Sequence, residues 1–414
     1  MKNKNIFLSS LGTGLEYYDF TVYALLIHYI AQNFFCFSSQ FASLTFAIVV
    51  FAIGYIARPF GGILFGYFGD KYGRKKILVY VMLLMGLSTV LMGVLPSVAI
   101  GGEVMGVLFI CLRLIQGISY GAELPCTLTF IAEHSNDKHR GFNCSIMTSF
   151  VSIGVLLACG IIFVMSAFLS SSSMNNWGWR IPFIVGGIIA LISYLIRKNT
   201  VETELFLAAV KKANIVKNPT SVLFKKHFTQ ILLGIGVLLF PSFLILFFLI
   251  LPSFLQKFYQ VNSSDIYLGT MIAYGSTVIT LPIFGTISDK FGRKKSMTVV
   301  LIIFILTAFF FFDLMSYPGF TYMLVFMLIY QLFISALAGN FYPFLTELFP
   351  VNVRYSGVAA SYNLAFAIAA FSPILAELLY DFYGGLFAVT IFFIIIALLT
   401  LTSCIITKNK AITN

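Results

Sequence analysis

GYFGDKYGRKK at residues 66–76 returns as GTISDKFGRKK at 285–295, with seven identities at an offset of 219 residues. Each copy closes one apolar stretch and leads directly into the next. A second echo accompanies the first: Glu133 precedes Arg140 and Gly141, and Glu347 precedes Arg354 and Gly357, with the same seven-residue step from acid to arginine. Polar loops repeated in the same order between apolar runs predict a duplicated membrane protein whose path lies between its halves.

Composition agrees. Hydrophobic residues make up 59% of the 414, charged residues 10%, and the mean hydropathy is +0.96, whereas a soluble chain carries roughly a quarter charged residues. The apolar runs fall at 6–31, 43–67, 76–95, 104–132, 143–169, 181–197, 228–255, 267–288, 296–315, 320–348, 357–380 and 384–407. Most reach the ~20 residues that a bilayer-crossing helix needs. The expected fold is therefore all-α, with twelve transmembrane helices in two pseudo-symmetric six-helix bundles. These occupy 1–197 and 228–414, joined by a linker at 198–227 whose mixed charge and short apolar patches predict surface helices. Alternating ten-residue strands, the mark of a membrane β-barrel, do not occur.

The net charge of +11 reports orientation. With the N-terminus cytoplasmic and the chain alternating, 22 of 26 basic residues fall inside. Arg180 and Lys257 fall outside, while Arg58 and Arg113 lie within spans. This is the positive-inside pattern, with anionic lipid as the partner and no nucleic acid. Both termini are expected to be cytoplasmic. The first run carries Glu16 and Asp19, is too long for a signal peptide and lacks a small-residue cleavage site, so it is expected to stay as the first helix. The six cysteines and four histidines form no ligand-like group, and neither a metal nor a cofactor is expected. Trp177 and Trp179, in the outward loop, read as interfacial anchors.

RPFGGILFGYFGDKYGRKK at 58–76, with its copy at 285–295, resembles the loop signature of the major facilitator superfamily. GLEYYDF at 14–20, RLIQGISYGAE at 113–123, WGWRIPF at 177–183 and ELFPVNVRYSGVAASYN at 347–363 resemble its metabolite:proton symporter branch, which carries proline, betaine, 2-oxoglutarate, citrate and shikimate. Two positions depart from the pattern: Tyr17 stands where the branch has tryptophan, and Ala122 where it has a second glycine. The resemblance implies a proton-coupled symporter of the bacterial inner membrane, functional as a monomer, importing a small carboxylate-bearing metabolite. Exporters of the same fold and transport-dead nutrient receptors are the alternatives. No nucleophile–base pair or P-loop can be assembled, so an enzyme is not expected.

Asp70 and Arg74 bracket a turn tight enough to need Gly69 and Gly73, and Asp289 and Arg293 repeat them. The resemblance implies that these four, with Glu133, Arg140, Glu347 and Arg354, latch the cytoplasmic side. The plainer role is charge that fixes orientation, which lysines alone would satisfy. The second copy, with Ser288 in place of Gly69, is expected to be the weaker gate. Charges within spans are costly and line cavities or pair. Glu16 and Asp19 share one face of the first helix. At 1.5 Å per residue, Arg58 and Glu123 also come out about 15–20 Å from the cytoplasmic end. The resemblance sets Asp19 against Arg113 as the proton-coupling pair, with Glu16 and Glu123 as rival carriers; a structural ion pair is the other role open to Glu16 and Arg58. Arg113 comes out about 30 Å from Glu133, so direct pairing requires tilt. Gln116, Tyr120 and Glu123 continue a stripe on the fourth helix, and Asn340, Tyr342, Tyr362 and Asn363 offer polar and aromatic groups from the second half. Arg113 with such rings suits a carboxylate and a trimethylammonium; Arg58 as a second cation suits a dicarboxylate.

Overall fold

The computed structural model describes residues 2–72, 74–198, 219–259, 261–383 and 385–407. Among them the chain is helical with short connections. The first-half helices are α1 (Lys2–Leu25, continued by Ile27–Phe34), α2 (Gln40–Ile56, continued by Arg58–Tyr72), α3 (Arg74–Val94), α4 (Val104–His134), α5 (Arg140–Phe168) and α6 (Arg180–Lys198). The second half supplies α7 (Phe228–Tyr259), α8 (Ser263–Phe291), α9 (Arg293–Asp313), α10 (Phe320–Glu347), α11 (Arg354–Ala369, continued by Ser372–Tyr383) and α12 (Leu386–Ile406). Nine of these are long and apolar enough to cross a membrane outright. α6 joins them when taken with the bent segment 171–178, and in α3 the apolar part is Val79–Val94. α1 is less apolar because it carries Glu16 and Asp19. Of the expected linker, 199–218 lie outside the described residues, and Pro219–Lys226 is a short helix.

The halves meet along two repeat-related seams, α5 against α8 and α2 against α11. Glycines allow the approach. A Cβ on Gly285 of α8 would stand 2.6 Å from the Gly141 carbonyl of α5, closer than any real side chain tolerates. Within the first half, a Cβ on Gly117 of α4 would lie 2.1 Å from the Gly54 carbonyl of α2, so the arginines of these helices share one layer. Lipid-facing surfaces are apolar, as shown by Phe168 at 85% and Phe310 at 83% exposure.

Prolines lie inside α4, α7, α8 and α10, and in α4 and α8 the fold uses the carbonyl they free, Ser149 Oγ donating to Val278 O ahead of Pro282 at 3.1 Å. Gly121 O would normally accept from residue 125, but Pro125 has no N–H. Asn363 Nδ2 of α11 donates to it at 2.7 Å, and the Tyr355 hydroxyl donates to the next carbonyl, Ala122 O, at 3.0 Å. Asn363, expected at a substrate site, therefore spends a donor on joining the halves.

Candidate functional site

Between the halves lies a cavity of about 40 Å³, lined among others by Tyr17, Ser152, Tyr274, Gln331, Tyr342 and Tyr362. One water needs roughly 10–15 Å³ on this measure. The cavity thus holds a few waters, and a metabolite would require it to open.

Behind its aromatic wall sit two buried arginines. Arg58 is boxed by rings, its guanidinium carbon 3.7 Å from the Tyr55 centroid and 4.2 Å from those of Phe20 and Tyr120. Arg113 lies 4.0 Å from the same Phe20 ring and 4.3 Å from Tyr23. Nε and Nη2 of both arginines lack hydrogen-bond partners. Cation–π contacts return about 0.5–2 kcal/mol each, less than a buried guanidinium costs to desolvate. Anionic oxygens, those of a carboxylate among them, are the acceptors that match such nitrogens. Tyr120, expected beside Arg113, packs instead on Arg58, with Tyr17 edge-on at 5.8 Å. Tyr17, where the branch has tryptophan, belongs to this wall.

Asp19 and Arg113 do not pair directly, which corrects the expected contact. Arg113 Nη1 donates to Gln116 Oε1, and Gln116 Nε2 donates to Thr89 Oγ1 of α3 at 2.9 Å. Thr89 lies beside Asp19. Both Asp19 oxygens lack hydrogen-bond partners, and the residue is fully buried. The guanidinium has turned into the Phe20 and Tyr23 rings, leaving the interval to two side chains. Glu16 is buried as well and faces α6, where Ser193 Oγ donates to its Oε1 at 3.2 Å. Glu123 is fully buried on α4.

From the second half, Asn340 turns Nδ2 to Ala336 O at 2.7 Å and keeps an unpartnered Oδ1. Tyr362 stacks on Tyr342 at 6.3 Å and lines the cavity. Gln331 was not foreseen. Its Oε1 accepts from Thr277 at 3.1 Å, while Nε2 is a buried donor without an acceptor at the cavity edge. A lone amide in an otherwise apolar run is the signal that would have found it.

At the basic end of the bundle the repeated motifs interlock. Arg140 Nη1 lies 3.1 Å from Glu347 Oε1, Arg293 Nη2 lies 3.5 Å from the same oxygen, and Arg354 Nη1 lies 3.7 Å from Glu133 Oε1. Asp289 receives the Gly141 and Phe142 amides, both at 2.9 Å, and Arg293 Nη1 at 2.7 Å. It thus caps the N-terminus of α5 with negative charge where the helix dipole favours it. The side chains of 69–76, including Asp70 and Arg74, lie outside the described residues. At the opposite end Lys257 pairs with Glu377 at 3.0 Å and lies 4.4 Å from the Phe41 ring of the first half. The sequence marks Lys257 only as an outward charge and does not single out Glu377. Trp179, expected at the interface with lipid, is fully buried between Phe34 and Phe183, because its neighbour Arg180 reaches back to cap α3 at Gly93 O, 3.0 Å away. Trp177 is half exposed.

Comparison with known proteins matches the model of the Major Facilitator Superfamily over residues 9–280 and 233–410. The chain is 30% identical to the citrate-proton symporter of Klebsiella pneumoniae, covering 90% of this chain and 84% of that protein. It is 31% identical to the inner membrane metabolite transport protein YhjE of Escherichia coli K12, covering 99% and 94%. It is 28% identical to the proline/betaine transporter of Salmonella typhimurium, covering 99% and 84%. Among solved structures, the proton:xylose symporter XylE superposes with a TM-score of 0.78 over 98% of this chain and 94% of that one, at 19% identity, a likeness of fold.

Proposed function

We propose that this chain, which belongs to the major facilitator superfamily, is a proton-coupled symporter that imports a small carboxylate-bearing metabolite across the bacterial inner membrane. The observation that carries this reading is Arg113: fully buried, with two guanidinium nitrogens unpartnered and a hydrogen-bonded path toward a buried acid. Citrate, proline and betaine, the cargoes named for two of the relatives, share a carboxylate. That group would complete Arg113, with Arg58 and the Tyr17–Tyr120–Tyr362 wall receiving the remainder of the molecule.

Transport follows from alternating access. The basic end, cytoplasmic on the positive-inside reading, is closed by the interlocked Glu133, Arg140, Asp289, Arg293, Glu347 and Arg354 while substrate enters from outside. Bound carboxylate draws Arg113 away from Gln116. Asp19 then takes up a proton, and the loaded, neutralised site allows the halves to rock.

The test is uptake into proteoliposomes of labelled citrate, 2-oxoglutarate, proline and betaine, with and without an inward proton gradient. At least one should accumulate with the gradient and stop when a protonophore is added. A chain that moves none of them, or accumulates them equally without a gradient, is not this symporter. Orientation is checked separately: reporter fusions after Asn414 should report inside and those within 170–176 outside.

A further inference from the structure

Arg113 and Asp19 are joined by Gln116 and Thr89, and the arithmetic of hydrogens makes this link a two-position device. The Thr89 hydroxyl has one proton. It goes to Met85 O one turn back, at 3.0 Å, while Gln116 Nε2 occupies the oxygen's lone-pair side at 2.9 Å. Asp19 sits against the same residue: a Cβ on Gly186 of α6 would meet Asp19 Oδ1 at 2.2 Å and the Thr89 methyl at 3.0 Å. With the hydroxyl on Met85 O, neither Asp19 oxygen receives a donor. Turning it to Asp19 costs little, because a carbonyl inside a helix keeps its own backbone amide.

We propose that Thr89, steadied by Gln116, is the positioning residue through which Asp19 and Arg113 respond to each other. The hydroxyl turns to Asp19 when the carboxyl is ionised and returns to Met85 O when it is protonated. The proton arrives at and leaves from Asp19 itself; Thr89 rotates and Gln116 stays neutral, so neither gives up a proton. When substrate draws Arg113 off Gln116 Oε1, the amide is released, its hold on Thr89 loosens, and the ionised carboxyl loses its donor. That loss favours proton uptake at the moment the substrate binds.

Among the described residues, the surroundings of Asp19 leave this link as its route to a cation. Its own helix offers Glu16 and Tyr18, whose hydroxyl is committed to Pro182 O at 2.9 Å, with His28 further along, bonded to Gln32. α6 presents Gly186. α5 carries the buried thiols Cys144 and Cys159, and its Arg140 is held by Glu347. α7 carries Lys257, held by Glu377. From α3 and α4 come Thr89 and, through Gln116, Arg113.

The inference rests on Asp19 as the proton carrier, so the experiment compares Thr89→Val, Thr89→Ser and Asp19→Asn in the same proteoliposomes. Readouts are substrate counterflow, proton-driven accumulation and the pH profile of substrate KM. Thr89→Val is near-isosteric and should keep counterflow within about twofold, while accumulation falls about tenfold or more, the equivalent of one hydrogen bond to a charged group. Its KM profile should shift along the pH axis, and Thr89→Ser should restore both. Should Thr89→Val fail to reach the membrane, Thr89→Ala against Thr89→Ser gives the same comparison. Normal accumulation and an unmoved pH profile in the hydroxyl-free variant, with Asp19→Asn uncoupled, overturns the role of Thr89 and leaves the symporter reading standing. Normal accumulation in Asp19→Asn overturns both.

Discussion

Arg140 of the first half stands 3.1 Å from Glu347 of the second, and their repeat counterparts return the contact, Arg354 lying 3.7 Å from Glu133. Each half lends its arginine to the other's acid. The seven-residue step from acid to arginine in both copies is what makes the exchange reciprocal, since it sets the acid at one helix end and the arginine at the start of the next. Lysines placed only for orientation would need no such spacing.

The proposed gate should be measurable as a shift in equilibrium. Glu347→Gln removes one partner of a partly exposed pair, worth about 1–2 kcal/mol after discounting for solvent. A Thr148→Cys reporter on the lining of the central cavity, in a cysteine-free background, should label several-fold faster from the basic side in Glu347→Gln. Glu133→Gln should do the same to a similar degree. Unchanged labelling in both would reduce these charges to orientation signals.

Asn363 and Pro125 offer a cleaner energetic test. Asn363 Nδ2 fills the Gly121 carbonyl that Pro125 leaves open. Asn363→Leu should cost about 1–2 kcal/mol of stability, read by thermal unfolding in detergent. In a Pro125→Ala background the restored backbone amide takes over the carbonyl, so the same substitution should cost clearly less. Additive costs would detach the two residues. A raised substrate KM with unchanged stability would return Asn363 to the binding site where the sequence had put it.

Much of the molecule was legible because its signals are local. Hydropathy runs, basic loops and the copied GYFGDKYGRKK phrase each lie within a short window. Asp19, Arg58 and Arg113 stood out as charges inside apolar runs. Thr89 and Ser193 did not: a hydroxyl in a membrane helix can satisfy itself on the carbonyl four residues back, so nothing in its neighbourhood marks it as a partner for an acid on another helix. Trp179 misled because an aromatic beside a loop reads as an anchor, and only the reach of Arg180 across to α3 shows that the segment turns inward. Whether Asp19 and Arg113 touch depends on which way a long side chain turns, and the rings that turn it, Phe20 and Tyr23, stand on another helix, α1.

Gly186 tests the position of the acid without touching its chemistry. A Cβ there would stand 2.2 Å from Asp19 Oδ1, and one on the neighbouring Gly187 would stand 2.1 Å from the Val90 Cγ2 methyl. The clashes are alike in severity and differ in target. Gly186→Ala should lose most proton-driven accumulation, because the carboxyl must swing away from Thr89. Gly187→Ala should cost expression or stability by a similar packing penalty, about 1–3 kcal/mol, while the surviving protein stays coupled. Equal loss of coupling in both would mean that the spacing of α3 and α6, not the carboxyl, had been disturbed.

The sharpest division is between coupling and binding. Asp19 carries the titratable group but has no place for the substrate, being buried against α3 and α6. Arg113 carries the charge that a substrate carboxylate needs, with two unpartnered nitrogens. Asp19→Asn should therefore retain substrate counterflow, which needs no net proton movement, and lose accumulation driven by an inward proton gradient. Arg113→Ala should lose both, since the carboxylate then meets only rings and Arg58. Binding measured at equilibrium should separate the variants again: near normal in Asp19→Asn, weakened by tenfold or more in Arg113→Ala, about the loss of one charge-assisted hydrogen bond. Accumulation at normal levels in Asp19→Asn would move the proton to Glu16 or Glu123, the other acids buried at this depth.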